Sequence, residues 1–157
     1  MSASIIVEDG SIISGANSYV STTELTTFAS NRGITITGTL ADLLIQAMDY
    51  IENLPFKGVK LTEDQPLQWP RGFVNVDGYY IRTDEIPQQL KDGLCHCAIA
   101  IDQGNDPIQD LSQTAIRKKV GDLEIEYAQG TTSVTVNRKI LNVLKKLING
   151  SNTVSKA

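Results

Sequence analysis

The chain has 157 residues, 41% of them hydrophobic and 20% charged, with a formal net charge of −4. That length supports one domain with a real core and is short for two. Its apolar runs break well before the roughly 18 residues of a membrane span, and its N-terminus lacks the basic and apolar regions of a signal peptide, so a cytoplasmic site of synthesis is expected.

Charge is uneven along the chain. Residues 1–112 carry 15 acidic and 6 basic side chains, whereas residues 113–157 carry 3 and 8. Such asymmetry fits a basic tail for nucleic acid, complementary surfaces on neighbouring copies, or simply uneven solvated charge.

Residues 1–20 alternate short apolar groups with Gly, Ser and Asn and read as an extended arm in which Ile5-Ile6-Val7 pairs as a strand. Ser21-Thr22-Thr23-Glu24 has the spacing of a capping box, which predicts a first helix from Thr22 to Asn31 with Leu25, Phe28 and Ala29 inward and Gly33 as its stop. Thr39 caps a second helix, whose apolar positions Leu40, Leu43, Leu44, Ala47, Met48 and Ile51 follow the helical period up to Leu54-Pro55. Asp42, Asp49 and Glu52 lie off that stripe and are expected to face solvent or a partner.

The segment Gln65-Pro66-Leu67-Gln68-Trp69-Pro70-Arg71-Gly72, continuing through Gly78-Tyr79-Tyr80-Ile81 to Pro87, holds the single Trp and three of the five prolines. Each proline fixes φ and removes a donor, so a long ordered loop is expected here in place of a helix or central strand. Trp69, Pro70 and Arg71 are its structural anchor: the indole is buried with its N–H on a carbonyl, and Arg71 reaches a carboxylate.

Asp84 caps a third helix with Pro87 in its first turn, running to Asp102 and stopped by Gly104-Asn105-Asp106-Pro107. Cys95 and Cys97 sit two residues apart on it, about 160° from each other around the axis by the 3.6-residue period. They read as two buried thiols beside a more exposed His96, with no further Cys or His to complete a zinc set and no disulfide framework.

Ile116 to Val120 and Leu123 to Tyr127 flank Gly121-Asp122, a two-residue hairpin link. That register sets Lys119 opposite Glu124 and Arg117 opposite Glu126, four charges that serve the ribbon itself or a neighbouring subunit. Asn137 caps a last helix, Arg138 to Asn149, with Ile140, Leu141, Leu144, Leu147 and Ile148 inward and Arg138, Lys139, Lys145 and Lys146 outward. Gly150 is its expected C-cap, and the tail Ser151 to Ala157 has little to bury and is expected to be mobile.

The fold class that follows is mainly α: a small bundle of about four helices with an inserted β-hairpin, long ordered loops and an N-terminal arm, residues 1–150 forming one domain and 151–157 a tail. No phosphate loop, Ser/His/Asp set or HExxH occurs, the lone His has no evident partner, and neither catalytic nor cofactor-binding nor metal-ligating residues are expected.

The "QPLQWPR" segment with its Gly-Tyr turn, the N-terminal Val7-Glu8-Asp9-Gly10 and Ala16-Asn17-Ser18-Tyr19-Val20, Ala47-Met48-Asp49-Tyr50-Ile51-Glu52, and Lys119-Val120-Gly121-Asp122-Leu123 with Glu126-Tyr127 together resemble a family of small tailed-phage proteins. That family is often labelled DnaT-like single-stranded-DNA-binding proteins, and its members look like head–tail connector subunits. The resemblance implies a structural protein of the virion neck, made in the host cytoplasm and assembled as a ring, commonly of twelve copies, under the portal protein. The ring extends the channel through which DNA passes without sequence-specific binding, and it joins the next neck or tail protein; no membrane is involved. It also implies that the C-terminal segment docks on the portal, which here places Arg138, Lys139, Lys145, Lys146, Ser151, Asn152, Thr153, Val154, Ser155, Lys156 and Ala157 at that contact.

The family's other label, single-stranded DNA binding, is the alternative. It calls for a basic groove interleaved with exposed aromatics on which bases stack. Tyr79 and Tyr80 lie in the acidic half, and the basic C-terminal helix has no aromatic residue.

Overall fold

The computed structural model describes residues 3–105 and 138–149. Three helices, α1 (Thr22–Ser30), α2 (Leu40–Ile51) and α3 (Gln88–Asp102), are joined by helical residues 138–144, here α4. Between α2 and α3 the chain forms two antiparallel two-stranded ribbons, β1 (Val59–Lys60) with β2 (Arg71–Gly72) and β3 (Asn75–Val76) with β4 (Tyr79–Tyr80). The class is mainly α with an inserted hairpin.

α1 starts where the capping box places it: Glu24 N–H donates to Ser21 Oγ at 3.1 Å, and Ser21 N–H donates to Glu24 Oε1 at 2.8 Å. α2 buries Leu43, Leu44, Ala47, Met48 and Ile51, the expected stripe, against α3, while α1 lies against both. α3 begins later than its sequence suggests. The Asp84 carboxylate is held by the Arg82 guanidinium at 3.1 and 3.0 Å and is not free to cap. Pro87 takes the N-cap position instead, in extended backbone, and its carbonyl accepts from Leu90 and Lys91.

Gly93, in the middle of α3, faces α4. A Cβ there would come within 2.6 Å of Leu144 Cδ2 and 2.7 Å of its Cγ, so the missing side chain is what lets fully buried Leu144 close onto α3. α4 is also shorter than its apolar period suggests. Residues 145–147 form a turn because the Leu147 carbonyl accepts from Lys57 N–H at 2.8 Å, and Asn149 N–H donates to the Pro55 carbonyl at 2.7 Å. Ile148 then bridges to Phe56 in antiparallel fashion, which ties the segment after α4 to the exit of α2.

The N-terminal arm folds back on itself. Val7 and Ser18 form a parallel bridge, with Glu8 N–H on the Ser18 carbonyl at 2.8 Å. Glu8, 1% exposed, accepts from the backbone N–H groups of Gly10, Ile12 and Ile13 at 2.8–2.9 Å, three donors that offset the cost of burying a carboxylate. The expected hairpin and its charges Arg117, Lys119, Glu124 and Glu126, the cap residue Asn137, and Gly150 with the tail Ser151 to Ala157 lie outside the described residues.

Gly10 locks the arm against the segment that precedes α3: its φ is 108°, and a Cβ there would fall 2.0 Å from the Asp84 carbonyl oxygen. Gly10→Ala therefore adds left-handed strain to a backbone clash, and a loss of about 2–3 kcal/mol is expected, read as a lower urea midpoint at unchanged m.

Candidate functional site

Trp69 is fully buried, its ring edge-on to Phe56 at 5.7 Å between centroids. Its surroundings are wired by backbone and side-chain hydrogen bonds from three distant segments. Trp69 N–H donates to Tyr19 Oη at 3.2 Å, and Tyr19 O–H donates to Glu52 Oε2. The other Glu52 oxygen accepts from Gln68 N–H at 3.0 Å. The arm, the end of α2 and the loop thus meet on one carboxylate.

Glu52 was expected to face solvent or a partner, because it lies off the α2 stripe. It is half-buried, because the loop returns across the end of α2 and covers it. Burial pushes its pKa above the ordinary carboxyl value, opposed by the Tyr19 hydroxyl, the Gln68 N–H and the charges of Lys60 and Arg71. Tyr19 is pushed well above the usual phenol range by burial and by Glu52.

Arg71 differs from expectation in its partners. Its guanidinium donates to the carbonyls of Lys57 at 2.7 Å and Gly58 at 2.8 Å, and to Gln68 O at 3.2 Å and Oε1 at 2.8 Å, so it stitches backbone and meets no carboxylate directly among the described residues. The Trp69 indole N–H, expected on a carbonyl, has no hydrogen-bond partner among the described residues. Gln65 Nε2 donates to the carbonyls of Leu67 and Pro70 at 2.9 and 3.0 Å, bracing the loop before and after the indole. The Trp69–Pro70 peptide bond is cis.

Beyond this buried clasp the chain turns outward. Asn75-Val76-Asp77-Gly78-Tyr79-Tyr80 is a tight hairpin with Asp77 at φ 56° and Gly78 at φ 89°, the left-handed pair that an Asp-Gly turn supplies. Of the six exposed large hydrophobics among the described residues, five belong to the two ribbons or their flanks: Val59, Leu61, Phe73, Tyr79 and Tyr80. The Asp-Gly dipeptide between β-formers was a sequence signal for this hairpin that the proline content of the loop obscured.

Two cations near the hairpin are paired, whereas Lys60, in β1, is exposed and makes no ion pair among the described residues. Arg82 pairs with Asp84 at 3.0 Å, and Lys146 pairs with Asp77, on the hairpin turn, at 2.9 Å. Arg138, Lys139 and Lys145 are exposed on and just beyond α4 and make no ion pair among the described residues. Cys95 and Cys97 are buried in α3, and burial raises the Cys95 thiol to about 12, too high for a reactive thiolate. Among the described residues no group of three or more His, Cys, Asp or Glu side chains could hold a metal.

Trp69→Ala removes a fully buried indole that packs edge-on against Phe56, and a cost of about 3–5 kcal/mol is expected in denaturant unfolding. Glu52 gives a pH signature. Its folded pKa lies above the ordinary 4.5, so its contribution is fully present below that value and is lost as pH rises through the folded one. The Tm of the parent minus that of Glu52→Gln should therefore decrease between about pH 4 and about pH 7.5; a difference that grows over that range would reverse the assignment.

No curated protein and no solved structure matches the chain. A family model described as "Putative DnaT-like ssDNA binding protein" matches residues 3–157, which is nearly the whole length. The chain belongs to that family.

Proposed function

We propose that the protein is a structural subunit of the phage neck, a head–tail connector that assembles as a ring under the portal and lengthens the DNA channel. The observation that supports this reading best is the pairing of charge around the exposed aromatics. A surface that grips a nucleic-acid backbone needs free cations beside its stacking platforms. Beside the hairpin Arg82 and Lys146 are paired with Asp84 and Asp77, and on the other ribbon exposed Glu63 and Asp64 outnumber the exposed, unpaired Lys60. An apolar ribbon with a neutral-to-acidic surround suits a protein neighbour, and a channel wall that lets phosphates slide past. Residue by residue, the loop, arm and α2 segments that resemble connector subunits are also the ones gathered at the Glu52 clasp.

Single-stranded DNA binding is the second reading, favoured by the family's description and by three exposed aromatics that could stack bases. It would draw its phosphate contacts from Arg138, Lys139 and Lys145. The portal-docking role proposed for these residues, with Lys146 and Ser151 to Ala157, competes directly with that use.

Co-sedimentation with purified portal rings, run beside anisotropy of a labelled oligo-dT, separates the two. The connector reading expects portal binding, and only weak oligo-dT binding that fades with salt. Removing Ser151 to Ala157 should abolish the portal binding while leaving Tm nearly unchanged. Tight, salt-sensitive oligo-dT binding without portal binding would instead establish the second reading.

A further inference from the structure

An open groove of about 440 Å³ runs between α2, the N-terminal arm and the proline-rich loop. Ile45, Met48, Asp49 and Glu52 line it from α2, Ala16 from the arm and Leu67 from the loop. Ile45 and Met48 lie one helical turn before Asp49 and Glu52 on the same face of the helix. A hydrocarbon stem laid along α2 over the first pair therefore brings its head group to the two carboxylates.

Both carboxylates have accepting capacity left. Asp49 is exposed, and its side chain makes no hydrogen bond or ion pair among the described residues; only its backbone carbonyl is used, by Asn53 Nδ2 at 2.6 Å. Glu52 takes one donor on each oxygen, from Tyr19 and from Gln68, and keeps a lone pair on each.

Their position makes this charge unfavourable to the single chain. A helix ends at a negative pole, where cations are favoured, yet the last turn of α2 has no basic residue and carries Asp49, with Glu52 at the C-cap. Lys60 and Arg71 act on Glu52, but burial still holds its pKa above the ordinary value. Neither of these cations lines the groove: Arg71 is committed to the carbonyls of Lys57, Gly58 and Gln68, and Lys60 is exposed in β1.

We infer that this groove is a docking site for a basic side chain, arginine or lysine, presented by a protein partner. The methylene stem packs on Ile45 and Met48, and the charged head completes Asp49 and Glu52 at the negative pole of α2. A free diamine fits less well. Its second ammonium would lie over Ile45, Met48 and Ala16, where the groove has no second anion. The inference goes beyond the subunit reading and does not rest on it, since it uses none of the residues assigned to portal docking.

Titration of the isotope-labelled protein with a capped Gly-Arg-Gly peptide at low salt, followed by its amide resonances, tests it. Saturable shifts are expected in the amides of Ile45 to Asn53 and of Leu67, with the weak, millimolar affinity of a single side chain. The same peptide with uncharged citrulline in place of arginine should leave those amides unmoved. Asp49→Asn should weaken binding of the arginine peptide about fivefold. Because it also removes a charge from the negative pole of α2, it should raise Tm by about 1–3 °C.

Absence of a saturable shift overturns the inference, as do equal shifts with the citrulline peptide. A lower Tm for Asp49→Asn would make the carboxylate a support of the fold, which also overturns it. Putrescine binding at least as tightly as the arginine peptide would make a free amine the occupant, with the same consequence.

Discussion

One half-buried carboxylate, that of Glu52, joins segments that are far apart in the chain. It takes the Tyr19 hydroxyl from the arm and the Gln68 N–H from the loop, while the same Tyr19 oxygen accepts from Trp69. A carboxylate has lone pairs enough for several donors and no proton of its own to place, so it suits a junction at which every incoming group is a donor. Its desolvation opposes that gain, and this is why its pKa stays raised despite the hydrogen bonds it accepts. Arg71 completes the arrangement from the other side, holding the Lys57 and Gly58 carbonyls that would otherwise be left without donors at the entry to β1.

With the loop fixed in this way, strain and exposure can be afforded at its outer edge. Phe73 sits two residues beyond Arg71, and the hairpin Asn75 to Tyr80 follows at once. Phe73 adds nothing to the core of the single chain, and of the hairpin side chains Val76 packs partly against it; the core is built by the four helices with Tyr19, Phe56, Trp69 and Val74. A rigid base under unburied aromatic side chains is what a binding surface needs, because a mobile one would give up ordering entropy on contact.

The helices were legible because each has its own local signal: a capping box for α1, the apolar period for α2, and two turn-stopped stripes for α3 and α4. Their ends were less so. Asp84 has the residue type of a cap, but Arg82 two positions earlier takes its carboxylate, a competition that no helix period reveals. The burial of Trp69 was readable from residue type and flanking prolines. Its partners were not, since Tyr19 and Glu52 lie 50 and 17 positions away in sequence and nothing local marks them. Glu52 misled because its position on the α2 wheel is outward from α3, and a helix wheel knows nothing of a loop that returns over it.

The exposed aromatics bear differently on the two functions under consideration. Stacking of bases is tolerant of sequence but draws most of its affinity from phosphate contacts, so the aromatic count matters less than the number of cations left free beside it. Beside the hairpin two cations are bound internally, Lys146 to the hairpin turn itself and Arg82 to Asp84, while Lys60 in β1 is exposed and unpaired among the described residues. Both pairs are solvent-exposed and worth only about 0–1 kcal/mol each, so they weaken phosphate binding without forbidding it, whereas an apolar protein face can cover the same rings without disturbing either pair. The charge arrangement therefore weighs toward a protein neighbour even though the rings alone would serve either partner.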